Sequence, residues 1–340
     1  MEHGQPIHVV TGASGRTGVP LCMELKRRGE FVRALCRSDN ETAARLRRIA
    51  DEVVFGDLLD PKSLDSAFLG AAYVYHLGGI VDITSKLTPD LRRTNVEGTR
   101  NVVNACIKQR VKRLVYTCSV HALDFRNRTD VLREVDRFQP DKLKGGYAVS
   151  KAEAGNIVFE AARWGLDAVL ALPSGVTGAY DYKRSNIGQM IRDVAARRLP
   201  AYFRGEYDFV DVWDVAGALA DLAQKGVKGE SYIVSGHKIT VKELLRIAAN
   251  CAGVKPPRLC VPYFLVKLAA RGAEKRALKK GRPATFTPYS IKVLRDNCNF
   301  SHEKLTALTG YSPRPLAESI REQVEFQRAP EAGKEYGKKE

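Results

Sequence analysis

The stretch Ile7-His8-Val9-Val10-Thr11-Gly12-Ala13-Ser14-Gly15-Arg16-Thr17-Gly18 decides the fold. Ile7–Val10 is a short, β-branched run of the kind that forms a buried strand. Directly after Gly18, apolar residues recur at Val19, Leu21, Cys22 and Leu25 with the period of an amphipathic helix. Between strand and helix stand three glycines, and each has a physical job: a tight turn, close approach of backbone to a pyrophosphate, and close helix–strand contact. The amino end of the helix directs unpaired N–H groups and a partial positive charge at whatever occupies the turn. Thr11, Gly12, Ser14, Gly15, Arg16, Thr17 and Gly18 are therefore candidate contacts for the phosphates of a dinucleotide.

Further along, strands are expected at Phe31–Leu35, Val53–Phe55, Tyr73–Leu77, Leu114–Thr117 and Ala168–Leu172, with helical patterns between them. Val96, Thr99, Val102, Val103 and Cys106 illustrate those patterns. Alternation of this kind implies right-handed crossovers and a doubly wound parallel α/β sheet of the Rossmann type. The expected organisation is a dinucleotide-binding domain over 1–172, with a later segment, about 205–236, packing back on it. Residues 173–204 and 237–328 form a smaller, mostly helical carboxyl-terminal substrate lobe, and the polar tail 329–340 is expected to be disordered. In such a sheet the ligand lies at the carboxyl ends of the strands.

With 340 residues, 44% of them hydrophobic, the chain can bury a sizeable core. No apolar run reaches the roughly 18 residues a membrane span requires, and the amino terminus has no signal-peptide pattern. A cytoplasmic location is the expectation. Seven scattered cysteines without a Cys-x-x-Cys pair argue against a disulfide framework and against a metal site. The net charge is +16, with the densest cluster at Arg271, Lys275, Arg276, Lys279, Lys280 and Arg282. No aromatic residues interleave with it to stack bases, so a solvated basic face is favoured over nucleic-acid binding. An anionic substrate or a membrane surface are the other readings.

The second strand ends Leu35-Cys36-Arg37-Ser38-Asp39. A carboxylate at this tip accepts the ribose 2′-hydroxyl of NAD, whereas a guanidinium suits the 2′-phosphate of NADP. Arg37, with Arg33 and Arg16 nearby in sequence, points to NADP; NAD is tolerated if Asp39 swings back to the ribose. Asp57-Leu58 follows the third strand, where an adenine ring would lie, although Asp57 is equally suited to opening a turn.

Tyr147-Ala-Val-Ser-Lys151 sets a phenol and an amine four residues apart, on one helix face. An adjacent ammonium is expected to lower the phenol pKa, making Tyr147 a proton relay to a carbonyl oxygen. Ser119, at the end of the fifth strand, can hold the same oxygen. Asn95 stands near a helix start, where capping is its ordinary role.

Together these segments resemble the extended short-chain dehydrogenase/reductase family. The likeness runs from Thr11 to about Phe326 and includes Gly56-Asp57-Leu58, His76-Leu77-Gly78-Gly79 and Thr94-Asn-Val-Glu-Gly-Thr99. It continues through Leu172-Pro-Ser-Gly-Val176 and Phe209-Val-Asp-Val-Trp-Asp-Val-Ala216. The resemblance implies a catalytic set of Ser119, Tyr147 and Lys151, with Asn95 supporting Lys151 through a water. It implies that Lys151 holds the nicotinamide ribose and that Asp57 and Leu58 flank the adenine. Leu77 and Gly78 would line the cofactor channel, and Pro173 and Ser174 would abut the nicotinamide. It also implies a homodimer through the helices carrying Asn95 and Tyr147.

Tyr75-His-Leu-Gly-Gly-Ile-Val-Asp82 is similar to 3β-hydroxysteroid dehydrogenases, and Val32-Arg-Ala-Leu-Cys-Arg37 to dihydroflavonol and cinnamoyl-CoA reductases. Gly78-Gly79 stands where the family usually has alanines, and is expected to widen the channel or pocket. The implied activity is hydride transfer between NADP(H) and a carbonyl or secondary alcohol of a steroid-, flavonoid- or acyl-CoA-like molecule. Two alternatives remain. One is a sugar-nucleotide epimerase or dehydratase with bound NAD, which Arg37 opposes. The other is a non-catalytic NADP-binding sensor, which the intact Tyr147/Lys151 pair opposes. The substrate pocket is expected from His121, Phe125 and Arg126–Arg128, from Tyr180–Met190, and from the basic lobe.

Overall fold

The computed structural model describes residues 4–82, 86–124, 130–182, 185–279 and 287–329. Its first half alternates β1 (Ile7–Thr11), α1 (Gly18–Arg27), β2 (Phe31–Cys36), α2 (Glu41–Leu46), β3 (Glu52–Phe55), α3 (Pro61–Ala67) and β4 (Ala71–His76). There follow α4 (Pro89–Arg92), a π turn (Arg93–Glu97), α5 (Gly98–Lys108), β5 (Arg113–Thr117), α6 (Gly146–Arg163) and β6 (Ala168–Pro173). The second half contains β7 (Gly175–Thr177), α7 (Asn186–Ala195), β8 (Ala201–Tyr202), β9 (Glu206–Asp211), α8 (Val212–Lys225), β10 (Ser231–Val234) and β11 (His237–Thr240). It closes with α9 (Val241–Ala252), β12 (Leu259–Cys260), α10 (Tyr263–Lys279), α11 (Pro288–Val293), α12 (Glu303–Thr309) and α13 (Leu316–Arg328).

Seven strands form one parallel sheet in the order β10-β6-β5-β4-β1-β2-β3. The strand order reverses between β1 and β4, which opens a crevice at their carboxyl ends. β1 and β6 are buried along their whole length, as strands covered on both faces must be. One face packs on α3, α5 and α6 through Leu64, Phe68, Val102, Cys106, Val158 and Phe159. The other packs on α1 and α8 through Leu21, Leu25, Val215, Leu219 and Leu222. Expected strand ends and observed ones differ by a residue or two, because pairing partners extend each strand to the length of its neighbour.

Outside this doubly wound sheet, β11-β9-β7 make a small second sheet, and α7, α9 and α13 enclose a separate apolar cluster with Tyr207 and Phe209. β9 and α8 return the chain to the main body before β10 joins the large sheet. The buried Gln323 of α13 accepts from Thr177 Oγ1 at 2.8 Å and Gly178 N at 3.2 Å, tying the helical lobe to the strand ends. Lys280 and Arg282 of the basic cluster lie outside the described residues. No helix among the described residues is long and apolar enough to cross a membrane.

The glycine turn is where the fold has least room. A methyl group at Gly18 would lie 2.7 Å from Ala13 Cα and inside contact distance of the Gly12 carbonyl oxygen. Gly18→Ala is expected to cost about 1–3 kcal/mol, because backbone rather than a flexible side chain must yield. Thermal melting of the ligand-free variant should fall by several degrees, and an unchanged Tm would mean that the turn is looser than drawn.

Candidate functional site

Gly12 has φ +66°, a left-handed conformation that favours glycine, and its carbonyl accepts from Gly15 N at 2.8 Å. Helix α1 starts at Gly18 with Thr17 as its cap. No side chain caps it and no acid lies in its first turn. Its amino-terminal partial charge therefore has no protein anion beside it. A Cβ at Gly12 would strike the Gly78 nitrogen at 2.7 Å, so the turn after β1 and the loop after β4 lie backbone against backbone. This close, cation-ended cradle at the crevice of the sheet fits a dinucleotide pyrophosphate.

Gly78-Gly79 does not widen the site. A Cβ at Gly78 would meet Leu58 Cδ1 at 2.9 Å, and one at Gly79 would meet Asn95 Oδ1 at 2.9 Å. The space released by the missing methyl groups is already filled. Asp57 Oδ1 accepts from Leu59 N at 2.9 Å, which is the turn role considered for it, and Leu58 projects beneath Gly78. Leu77 follows β4, with its N–H donating to Thr11 O at 3.3 Å.

At the tip of β2, Arg37 is exposed and takes part in no hydrogen bond or ion pair among the described residues. Asp39 is held at 2.7 Å by Arg47, which caps the carboxyl end of α2. The other two arginines grouped with Arg37 are engaged elsewhere. Arg33 bonds Glu52 and the carbonyls of Ala67 and Leu69, where α3 ends. Arg16 donates to Ser185 Oγ at 2.8 Å and to Gln323 Oε1 at 3.3 Å, linking the glycine turn to the helical lobe. Of the three arginines grouped by sequence, Arg37 alone makes no side-chain bond among the described residues.

Ser119, Tyr147 and Lys151 come together at the ends of β5 and α6. Ser119 caps a 3-10 turn, accepting from His121 N at 3.2 Å, and its hydroxyl lies near enough to the Tyr147 phenol to favour the phenolate. The capping and functional readings of this serine both hold. Lys151 is buried, and its ammonium donates to Thr117 O at 2.7 Å and Tyr116 Oη at 3.2 Å. Burial away from any carboxylate lowers its pKa to about 8. The expected depression of the Tyr147 pKa is absent: burial raises it, and the neighbouring Ser119 hydroxyl offsets only part of that rise. The phenolate is penalised in this dry setting more than the serine favours it, and Lys151 spends its hydrogen bonds on Thr117 and Tyr116.

Asn95 sits inside the π turn rather than at a helix start. Its side chain accepts from Ile80 N at 2.8 Å and donates to Ile80 O at 2.9 Å and Ser150 Oγ at 3.0 Å. Ser150 in turn donates to Tyr147 O at 2.8 Å. Asn95 thus braces the first turn of α6, and such π turns recur where helices serve a site. Pro173 ends β6 and is buried. The Ser174 hydroxyl beside it is buried without a hydrogen-bond partner among the described residues.

Sequence reading missed a buried polar chain that leads to Asn95. Gly78 N donates to Thr11 Oγ1 at 3.2 Å, and Thr11 Oγ1 lies 2.8 Å from His76 Nδ1. His76 Nε2 lies 3.0 Å from Thr99 Oγ1, which donates to Asn95 O at 2.6 Å. Burial lowers the His76 pKa to about 3, so the ring is neutral. The donors on either side assign its proton to Nε2. A histidine inside an otherwise apolar strand was the available signal.

An aromatic wall stands beside Tyr147. His121 meets its ring edge-on at 5.8 Å, and bonds Tyr207 Oη at 3.1 Å and Tyr289 Oη at 3.4 Å. Burial lowers the His121 pKa to about 4. Tyr207 and Tyr289 come from β9 and α11, distant elements that no local pattern could join. Tyr180 and Tyr182, expected in the pocket, instead pack on Trp213, Phe326 and Arg45. Phe125–Arg128 lies outside the described residues.

Comparison with known proteins places this geometry. The family model for the NAD dependent epimerase/dehydratase family matches residues 8–235. A curated relative, "Sterol demethylase protein B" of Methylococcus capsulatus, is 32% identical over 84% of this chain and 87% of its own. A "Putative dihydroflavonol 4-reductase" of Synechocystis is 28% identical over 93% of both chains. The crystal structure of gox2253 superposes with a TM-score of 0.80 at 30% identity, covering 95% of this chain and 98% of that one. With a family model matching well over half its length around this turn, phenol and amine, the chain belongs to the NAD dependent epimerase/dehydratase family and is an NAD(P)-dependent enzyme acting on CH–OH groups.

Proposed function

We propose that this enzyme reduces a ketone on an apolar small molecule with NADPH, or oxidises the matching secondary alcohol. The observation that carries the reading is the convergence of Ser119, Tyr147 and Lys151 beside an uncharged aromatic wall. The dinucleotide, when bound, supplies or accepts the hydride; the protein's groups handle the oxygen and its proton. Ser119 holds the carbonyl oxygen, and Tyr147, which burial keeps protonated, donates its phenolic proton as negative charge develops there. Lys151 keeps its ammonium within the same dry pocket and stabilises the phenolate left behind. His121, Tyr207 and Tyr289 present flat, neutral surfaces that fit a steroid- or flavonoid-like ring system better than a charged one. The printed names of the two curated relatives, a sterol-related protein and a dihydroflavonol reductase, support that substrate class. Arg37, unpaired at the tip of β2 while Asp39 is tied to Arg47, supports NADP over NAD.

A second reading has the family description behind it: epimerisation or dehydration of a sugar nucleotide around a retained NAD. The same phenol and amine serve that chemistry, in which hydride returns to the substrate and no cofactor is consumed. Incubation with steroid ketones, flavonoid ketones, acyl-CoA thioesters and nucleotide sugars separates the two. Stoichiometric loss of NADPH absorbance with a ketone supports reduction. Isomerised or dehydrated nucleotide sugar without net loss of NADPH, from protein that retains NAD through purification, supports the second.

Tyr147→Phe is expected to lower kcat about 100- to 10,000-fold while dinucleotide affinity stays within about twofold. Full turnover in that variant would remove the phenol from the chemistry. Arg37→Asp should weaken NADPH binding about 10- to 100-fold and shift preference toward NADH, since a carboxylate repels the 2′-phosphate and accepts the 2′-hydroxyl. Unchanged selectivity in titrations would mean that another residue reads the ribose. With Lys151 near 8, its ammonium persists below that pH and is lost above it, so kcat/KM for reduction should decline as pH rises through about 8. Tyr116→Phe removes an acceptor from the ammonium and should move that inflection lower by about one pH unit. A profile flat through this range in both proteins would exclude Lys151 as the charged partner.

A further inference from the structure

Helix α10 carries a surface that the hydride-transfer site does not use. Its inner side is anchored: Ala270 is buried, Tyr263 and Val266 pack on Phe203, Ile291 and Leu294, and Arg295 lies over the Tyr263 ring at 4.4 Å. Its outer side is open to solvent and unusually apolar. Phe264 is 69% exposed, Leu268 66% and Leu265 45%, and Leu259 of the adjacent β12 is 63% exposed. Four large apolar side chains grouped in this way exceed the scattered single exposures expected of an ordinary surface.

The same stripe continues as cations. Phe264, Leu268, Arg271, Lys275 and Lys279 follow one another at intervals of three or four residues, so they share a helix face. Lys267 and Arg276 flank it. From 255 to 279 the chain holds seven lysines and arginines and one acid, Glu274. Among the described residues, none of Lys267, Arg271, Lys275, Arg276 and Lys279 takes part in an ion pair. The face is thus an apolar turn followed by uncompensated positive charge.

We propose that this face docks the protein on an anionic lipid bilayer. Phe264, Leu265, Leu268 and Leu259 would enter the boundary between headgroups and acyl chains, while the cations meet the phosphates around them. Charge complementarity selects this occupant. A two-fold contact with a second copy would set the same seven cations against each other. A nucleic acid offers the phosphates but no apolar phase for three leucines. The proposal does not depend on the identity of the substrate. α10 packs on α11, whose Tyr289 reaches His121 beside Tyr147, so the docked helix is in contact with an element that carries the aromatic wall.

The test is flotation of the full chain with vesicles of equal parts phosphatidylglycerol and phosphatidylcholine, against vesicles of phosphatidylcholine alone. Partitioning to the anionic vesicles should be at least about tenfold stronger and should fall by a similar factor in high salt. The double variant Phe264→Ser, Leu268→Ser and the triple variant Lys267→Glu, Arg271→Glu, Lys275→Glu should each lose about tenfold or more. All five side chains are surface groups, so melting temperature and NADPH affinity should not change. The proposal is overturned by equal binding to both vesicle types, or by binding that ignores the Phe264/Leu268 substitutions. Sedimentation showing a homodimer that these substitutions dissociate would overturn it too, as would preference for a DNA duplex over the anionic vesicles.

Discussion

The close approach of two backbones at the carboxyl ends of β1 and β4 is the constraint on which the rest depends. A parallel sheet covered on both faces leaves polar chemistry nowhere to go except its strand ends. There Gly12 lies against Gly78, and Thr11 bonds both the Gly78 N–H and His76. Leu58 and the Asn95 amide fill the space that side chains at Gly78 and Gly79 would need. One tight junction therefore shapes the phosphate turn, fixes the loop after β4 and holds the asparagine that braces α6.

Burial then does most of the electrostatic tuning. It holds Tyr147 protonated, brings Lys151 down to about 8, and keeps His76 and His121 neutral. In each case desolvation outweighs the neighbouring charges. The ammonium of Lys151 survives near neutrality with a carbonyl and a phenol accepting its hydrogen bonds. An acid in that position would hold the lysine charge more firmly and would also cancel its field at Tyr147.

Charge is distributed by task. The wall beside the phenol is aromatic and neutral. The surplus of positive charge lies outward instead, at Arg37 on the strand tip and along the open face of α10. Of three arginines grouped with the 2′ position by sequence, two are consumed by packing: Arg33 closes on Glu52, and Arg16 stitches the glycine turn to Ser185 and Gln323.

The sequence by itself determined the alternating strands and helices, the glycine turn, and the placing of Tyr147 and Lys151 on one helix face. These depend on local periodicity, on backbone freedom at a turn, and on a four-residue helical spacing, all of which are written in consecutive residues. Only the tertiary structure decided the protonation of Tyr147, the bracing role of Asn95, the His76–Thr99–Asn95 chain and the Tyr207/Tyr289 wall. Each of these requires groups separated by many residues to meet in a region from which water is excluded. Spacing along a chain carries no record of which distant side chains share that region, nor of how dry it is.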